Sequence, residues 1–183
     1  MAEACDVIGN PSSVHAEGRA ARMLLERSRD QIAEALGAAQ ADIVFTSGAT
    51  EAAALALSGQ GLACAGIEHD AVRAWADETL AADPSGQVSV SDAARSTLQL
   101  ANSETGVIQT LPQGLAVSDL TQGFGKVPLA FDWLGIEAGF VSAHKLGGPR
   151  GVGALVLRSG DPAAVLQSAI TMLAYGDRMR RTS

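Results

Sequence analysis

Six short apolar runs recur along the chain, at residues 43–46, 62–67, 97–100, 115–117, 139–141 and 152–157. None is long enough to make a helix of several turns, and most stop at glycine or at a polar side chain. Segments with helical periodicity lie between some of them. The longest covers residues 14–36: Met23, Leu24, Ile32 and Leu36 fall on one face, and Arg22, Glu26 and Arg29 on the other. Ser12 or Ser13 is placed to cap it, Glu17 lies one turn inside, and Gly37 stands where a left-handed residue ends a helix. Shorter helices are expected at 50–57 and 70–82, and a last one from Asp161, with Pro162 in the first helical position. Short strands alternating with helices predict an α/β fold, a mostly parallel sheet flanked by helices. No repeat, low-complexity tract or linker interrupts residues 1–183, which read as a single domain.

Charge and composition narrow the function. With 13 Lys and Arg against 20 Asp and Glu, the net charge is −7, which disfavours nucleic acid or an anionic membrane surface as a partner. Aromatic residues are only 4% of the chain, too few for a base-stacking platform. No apolar stretch approaches the ~20 residues of a membrane span. Residues 1–7 carry two acids and no base, unlike a secretory signal. Cys5 and Cys64 are too few for a disulfide framework, so a cytoplasmic protein is expected.

Four segments place reactive or anion-binding groups just after apolar runs. In Thr46-Ser47-Gly48-Ala49-Thr50-Glu51 a strand passes through a small turn into a helix. Free N–H groups and a hydroxyl there suit a phosphate, although Ser47 or Thr50 could equally be an ordinary cap. In Ser142-Ala143-His144-Lys145 a strand delivers a lysine into the glycine-rich 147–151 stretch. A lysine held at a strand end can serve as a nucleophile or Schiff-base partner; the alternative is a surface lysine. Asp119 follows the 115–117 run, either as a turn residue or where open α/β sheets bind ligands. His69 follows 62–67 in the same manner and could be structural. An anion cradle, a ring to stack upon, a carboxylate and a lysine are together the parts needed to hold pyridoxal phosphate.

With these segments in order, the chain resembles the cysteine desulfurases of the class V aminotransferase group. The matching stretches are 9–15, 45–51, Glu68-His69, Ser103-Glu104-Thr105-Gly106-Val107-Ile108-Gln109, 119–126 and 142–153. The resemblance implies the large domain of the aspartate aminotransferase-like, pyridoxal-phosphate-dependent transferase fold. It further implies that Ala49 and Thr50 bind the phosphate, helped by Ser142 and His144, and that His69 stacks on the pyridine ring. Asp119 would hold the ring nitrogen protonated, Gln122 would hydrogen-bond the phenolic oxygen, and Lys145 would carry the cofactor and move protons at the substrate carbon. The family places Asn before the Glu of its Asn-Glu-x-Gly motif. Here that slot is Ser103, with Asn102 before it, and either could take the role.

By the same resemblance the expected substrate is L-cysteine, which yields alanine and a persulfide that feeds sulfur metabolism, including iron–sulfur cluster assembly. A homodimer and a sulfur-acceptor protein are the expected partners. Family members are longer, so the fold is expected to be incomplete, with the C-terminal small domain absent. Neither cysteine stands where the family carries its nucleophile: Cys64 lies in an apolar run and reads as a buried small hydrophobe. The alternative is a non-catalytic cofactor-binding or interaction module.

Overall fold

The computed structural model describes residue 4 and residues 6–158. Helix α1 (Ala16–Leu36) is followed by β1 (Ala41–Thr46), α2 (Ala49–Leu57), β2 (Ala63–Ala65), the single turn α3 (Asp70–Arg73) and β3 (Asp77–Leu80). After these come β4 (Val117–Asp119), the short α4 (Phe131–Leu134), β5 (Ala138–Ser142) and β6 (Gly153–Arg158). The helix expected from Asp161 lies outside the described residues.

The main sheet has the order β1-β6-β5-β4. β4 and β5 run parallel, whereas β6 is antiparallel to both of its neighbours, β1 and β5. Residues 97–100, expected as a strand, occupy a strand position without forming a full ladder. Thr97 N–H donates to Ala63 O, Leu98 N–H to Val117 O and Leu100 N–H to Asp119 O. Parallel bridges Thr97–Val117 and Ala63–Ser96 thereby carry the layer from β4 to the parallel β2–β3 pair. Every strand but β6 points the same way, so the carboxyl ends of β1, β4 and β5 meet along one edge.

Alternation along the strands explains why both faces are covered. Ile43, Val141, Ala154 and Val156 point to one core with Leu36, Leu98, Leu115 and Phe131, while Phe140 and Leu155 point to the other with Ala52, Ala53, Leu57 and Val72. Leu36 and Leu57 are fully buried, one in each core, and each side chain stabilises the fold by about 1.5–3 kcal/mol. Gly37 ends α1 in the left-handed conformation (φ 61°), as its place in the sequence predicts.

Two local expectations are corrected. Helix α1 starts at Ala16, and its cap residue is His15, with no side-chain bond. Ser12 and Ser13 are held instead in a turn, their N–H groups donating to Oδ1 and O of Asn10. The helix expected over 70–82 is one turn long. Asp77 N–H donates to Leu62 O, and the chain pairs with β2 as an edge strand, a tertiary contact that overrides the helix-favouring alanines nearby.

Candidate cofactor site

The carboxyl edge of the sheet borders a cavity of about 420 Å³. β1 leads into it through Ser47 and Gly48, the latter being the cap residue of α2. Ser47 donates through both N–H and Oγ to Glu51, each at 2.6 Å, and these bonds hold the Glu51 carboxyl below its usual range. Neither Ser47 nor Thr50 caps the helix. Among the described residues no acceptor takes the N–H groups of Ala49, Thr50 or Glu51, and all three residues line the cavity. Free donors at the positive end of a nine-residue helix favour an anion. Gly153 makes room for the turn: a Cβ there would stand 2.7 Å from Gly48 Cα and 2.9 Å from Thr46 Oγ1.

Asp119 ends β4 and lines the cavity, its Oδ1 accepting from Thr121 N–H at 2.8 Å. Burial pushes its carboxyl upward, against the Thr121 hydrogen bonding and the neighbouring His69 and Lys145. His69 caps α3 by accepting from Ala71 N–H at Nδ1, 3.1 Å away. A backbone N–H can only donate, so the neutral ring carries its proton on Nε2. At the end of β5, Ser142 Oγ lies 2.7 Å from His144 Nδ1, and Lys145 follows in a single 3-10 turn, Ala143–Lys145. Lys145 is exposed and lines the cavity, so the site opens to solvent there.

Ala49, Thr50, His69, Ser103, Asp119, Gln122, Ser142, His144 and Lys145 therefore meet around one cavity. Asn102 does not. Its Nδ2 donates to Ile67 O at 2.9 Å, and its Oδ1 accepts from the N–H groups of Glu104 and Thr105. Its polar atoms are spent on the loop, and Ser103 alone of the two faces the cavity.

Gln99, Ala101, Thr121, Phe140 and Arg150 also line the cavity and were not singled out from the sequence. Gln99 and Ala101, like Phe140 and Ser142, are two residues apart on extended chain. A period of two within an apolar run was the signal available for them. Glu68 supports the wall: Gln99 N–H donates to its Oε1 at 2.7 Å, and Gln99 Nε2 donates to Ile67 O at 3.0 Å. Glu68 is buried, its Oε2 has no partner among the described residues, and burial pushes its carboxyl up to about 8, with the Asp119 charge adding and the Gln99 N–H opposing. Cys64 is fully buried, does not line the cavity, and has its thiol pushed up to about 11 by burial and the nearby Glu68 and Glu78.

An α/β layer that gathers an anion cradle, a carboxylate and a lysine on its carboxyl edge has the fold of a pyridoxal-phosphate-type large domain. Aminotransferase class-V is the family whose profile matches, over residues 2–73 and 78–169. The chain belongs to the class-V aminotransferase family, whose members are pyridoxal-phosphate enzymes. It is similar to a cysteine desulfurase of Frankia sp. strain EuIK1, 36% identical over an alignment that covers 80% of this chain and 45% of the relative. It is also similar to the putative cysteine desulfurase IscS 1 of Bacillus subtilis strain 168, 35% identical over 80% of this chain and 48% of the relative. Among solved structures, a NifS-like protein from Rickettsia africae matches with a TM-score of 0.73 at 30% identity, over 85% of this chain and 52% of that one. SspA in complex with cysteine matches with a TM-score of 0.74 at 28% identity, over 84% of this chain and 55% of that one. The chain thus spans about half the length of these relatives.

Proposed function

We propose that the chain is the pyridoxal-phosphate-binding large domain of a cysteine desulfurase-like enzyme. The observation that carries this reading is the cavity itself, where free N–H donors, a carboxylate, an imidazole and a lysine from separate segments converge. The donor set fits the group. Ala49 and Thr50 offer backbone N–H and hydroxyl donors to a phosphate. Ser142 and His144 offer one more: whichever of the pair donates to the other, the hydroxyl or Nε2–H remains free. His69 presents its ring face, and Asp119 accepts a proton-bearing ring nitrogen. Gln122 and Ser103 bond the phenolic oxygen, and Lys145 is the point of covalent attachment. When bound, the cofactor supplies an electron sink for bond cleavage at a substrate amino acid's α-carbon.

Each side chain then has a defined task. Asp119 keeps the ring nitrogen protonated, and the Thr121 hydrogen bonding and the Lys145 charge favour its ionised form. Lys145 Nζ moves the proton at the α-carbon. L-cysteine is the substrate favoured by the names of the relatives and by the cysteine held in the SspA structure. A homodimer, a sulfur-acceptor protein and a cytoplasmic setting complete the proposal, and no described helix is long and apolar enough to cross a membrane. The test is borohydride reduction of the chain incubated with pyridoxal phosphate, followed by peptide mapping. Label on Lys145, lost in Lys145→Ala, is expected; label elsewhere or none overturns the reading.

A further inference from the structure

Gln122 borders the cavity with an amide that can be turned two ways, oxygen inward as an acceptor or nitrogen inward as a donor. Lys126 decides between them. Its Nζ lies 2.7 Å from Gln122 Oε1, and an ammonium has only donors, so only the amide oxygen can face it. Among the described residues no acceptor takes the hydrogens of Gln122 Nε2, and no carboxylate pairs with Lys126 to compete for its charge.

The segment that sets this geometry is tightly built. Phe124 N–H donates to Leu120 O at 2.8 Å, and the N–H groups of Lys126 and Val127 both donate to Gly123 O at 3.0 Å. A Cβ on Gly123 would fall 2.4 Å from Leu100 Cδ2, so this glycine lets the turn lie against the core. Gly125 takes a left-handed φ of 71°, and a Cβ there would meet Leu146 Cδ2 at 2.9 Å. The two glycines bring Lys126 back beside Gln122.

We propose that Lys126 is a positioning residue: by holding Gln122 Oε1 it turns Gln122 Nε2–H toward the cavity and makes this wall a donor for an anionic oxygen. This rests on the reading that the cavity takes pyridoxal phosphate, whose phenolate is such an oxygen. Lys126 also shares a neighbouring recess with Lys145, so its removal alters charge as well as orientation. A double-mutant cycle separates the two effects.

The experiment titrates the full apo chain with pyridoxal phosphate, following the bound chromophore, and records the side-chain amide resonances of Gln122 by 15N NMR without cofactor. Lys126→Met should weaken binding about three- to tenfold with an unchanged thermal midpoint, and Lys126→Arg should retain it. In a Gln122→Ala background Lys126→Met should have no further effect. An equal loss in both backgrounds would assign Lys126 a general charge effect and overturn the proposal, as would unchanged binding. If the wild type takes no pyridoxal phosphate, the functional reading fails. The amide resonances still decide the orientation: a shift in Lys126→Met supports it, and none refutes it.

Discussion

Glu68→Gln isolates the cost of keeping a carboxyl group in the wall behind His69. Glu68 is 4% exposed, with one oxygen bonded to Gln99 N–H and the other without a partner among the described residues. Burial raises its pKa from 4.5 to about 8. The folded chain therefore holds this proton more tightly than the unfolded chain does. The sign follows: the Glu68 contribution to stability is greatest below about pH 4.5, falls through the interval to about pH 8, and levels off above it. Each pH unit in that interval changes the folding constant about tenfold, or on the order of 5 kcal/mol in all. Glutamine keeps the shape and the acceptor but cannot titrate, and its second polar atom remains unpartnered at a pH-independent cost of about 1–3 kcal/mol. The variant should be no more stable than the wild type at pH 5 and clearly more stable at pH 8.5. Urea unfolding of both apo proteins at half-unit pH intervals gives the difference curve directly. Parallel stability curves for the two proteins would refute the argument, because no other substitution separates them.

Gly153→Ala should push the Ser47-Gly48 turn away from β6, lowering stability by about 1–3 kcal/mol and weakening cofactor affinity; an unchanged thermal midpoint would show that the turn yields freely. In a Cys5→Ser background, the fully buried Cys64, with its thiol raised to about 11, should resist Ellman's reagent at pH 8 and react fully in denaturant. Rapid native labelling would contradict its burial.

The residues that gather at the cavity were legible because each follows an apolar run: Asp119 after 115–117, Lys145 after 139–141, and Thr50 after 43–46. A parallel sheet puts such ends on one edge, so placing the strands also places the chemistry. Local competition hid the rest. Asn10 draws the N–H groups of Ser12 and Ser13 into its own turn, so serines that look like caps do not cap α1. The alanines of 70–82 favour a helix, and only the pairing of Asp77 onto Leu62, remote in sequence, stops it. Asn102 and Ser103 could not be told apart without the bond from Asn102 to Ile67 O, which is 35 residues distant. Gln99, on extended chain, and Phe140, inside β5, lie within apolar runs, although each also faces the cavity.

The reversal of β6 fixes where the described chain leaves the sheet. Gly153 enters the sheet beside Ser142 and Thr46 at the cavity edge, and Leu157 and Arg158 leave it beside Ala138 and Ala41 at the opposite edge. Five steps of about 3.3 Å separate these points, so β6 leaves the sheet roughly 17 Å from the cavity edge. A tag or fusion partner joined just after Arg158 starts on the far side of the molecule, leaving the mouth beside Lys145 unobstructed by its attachment point.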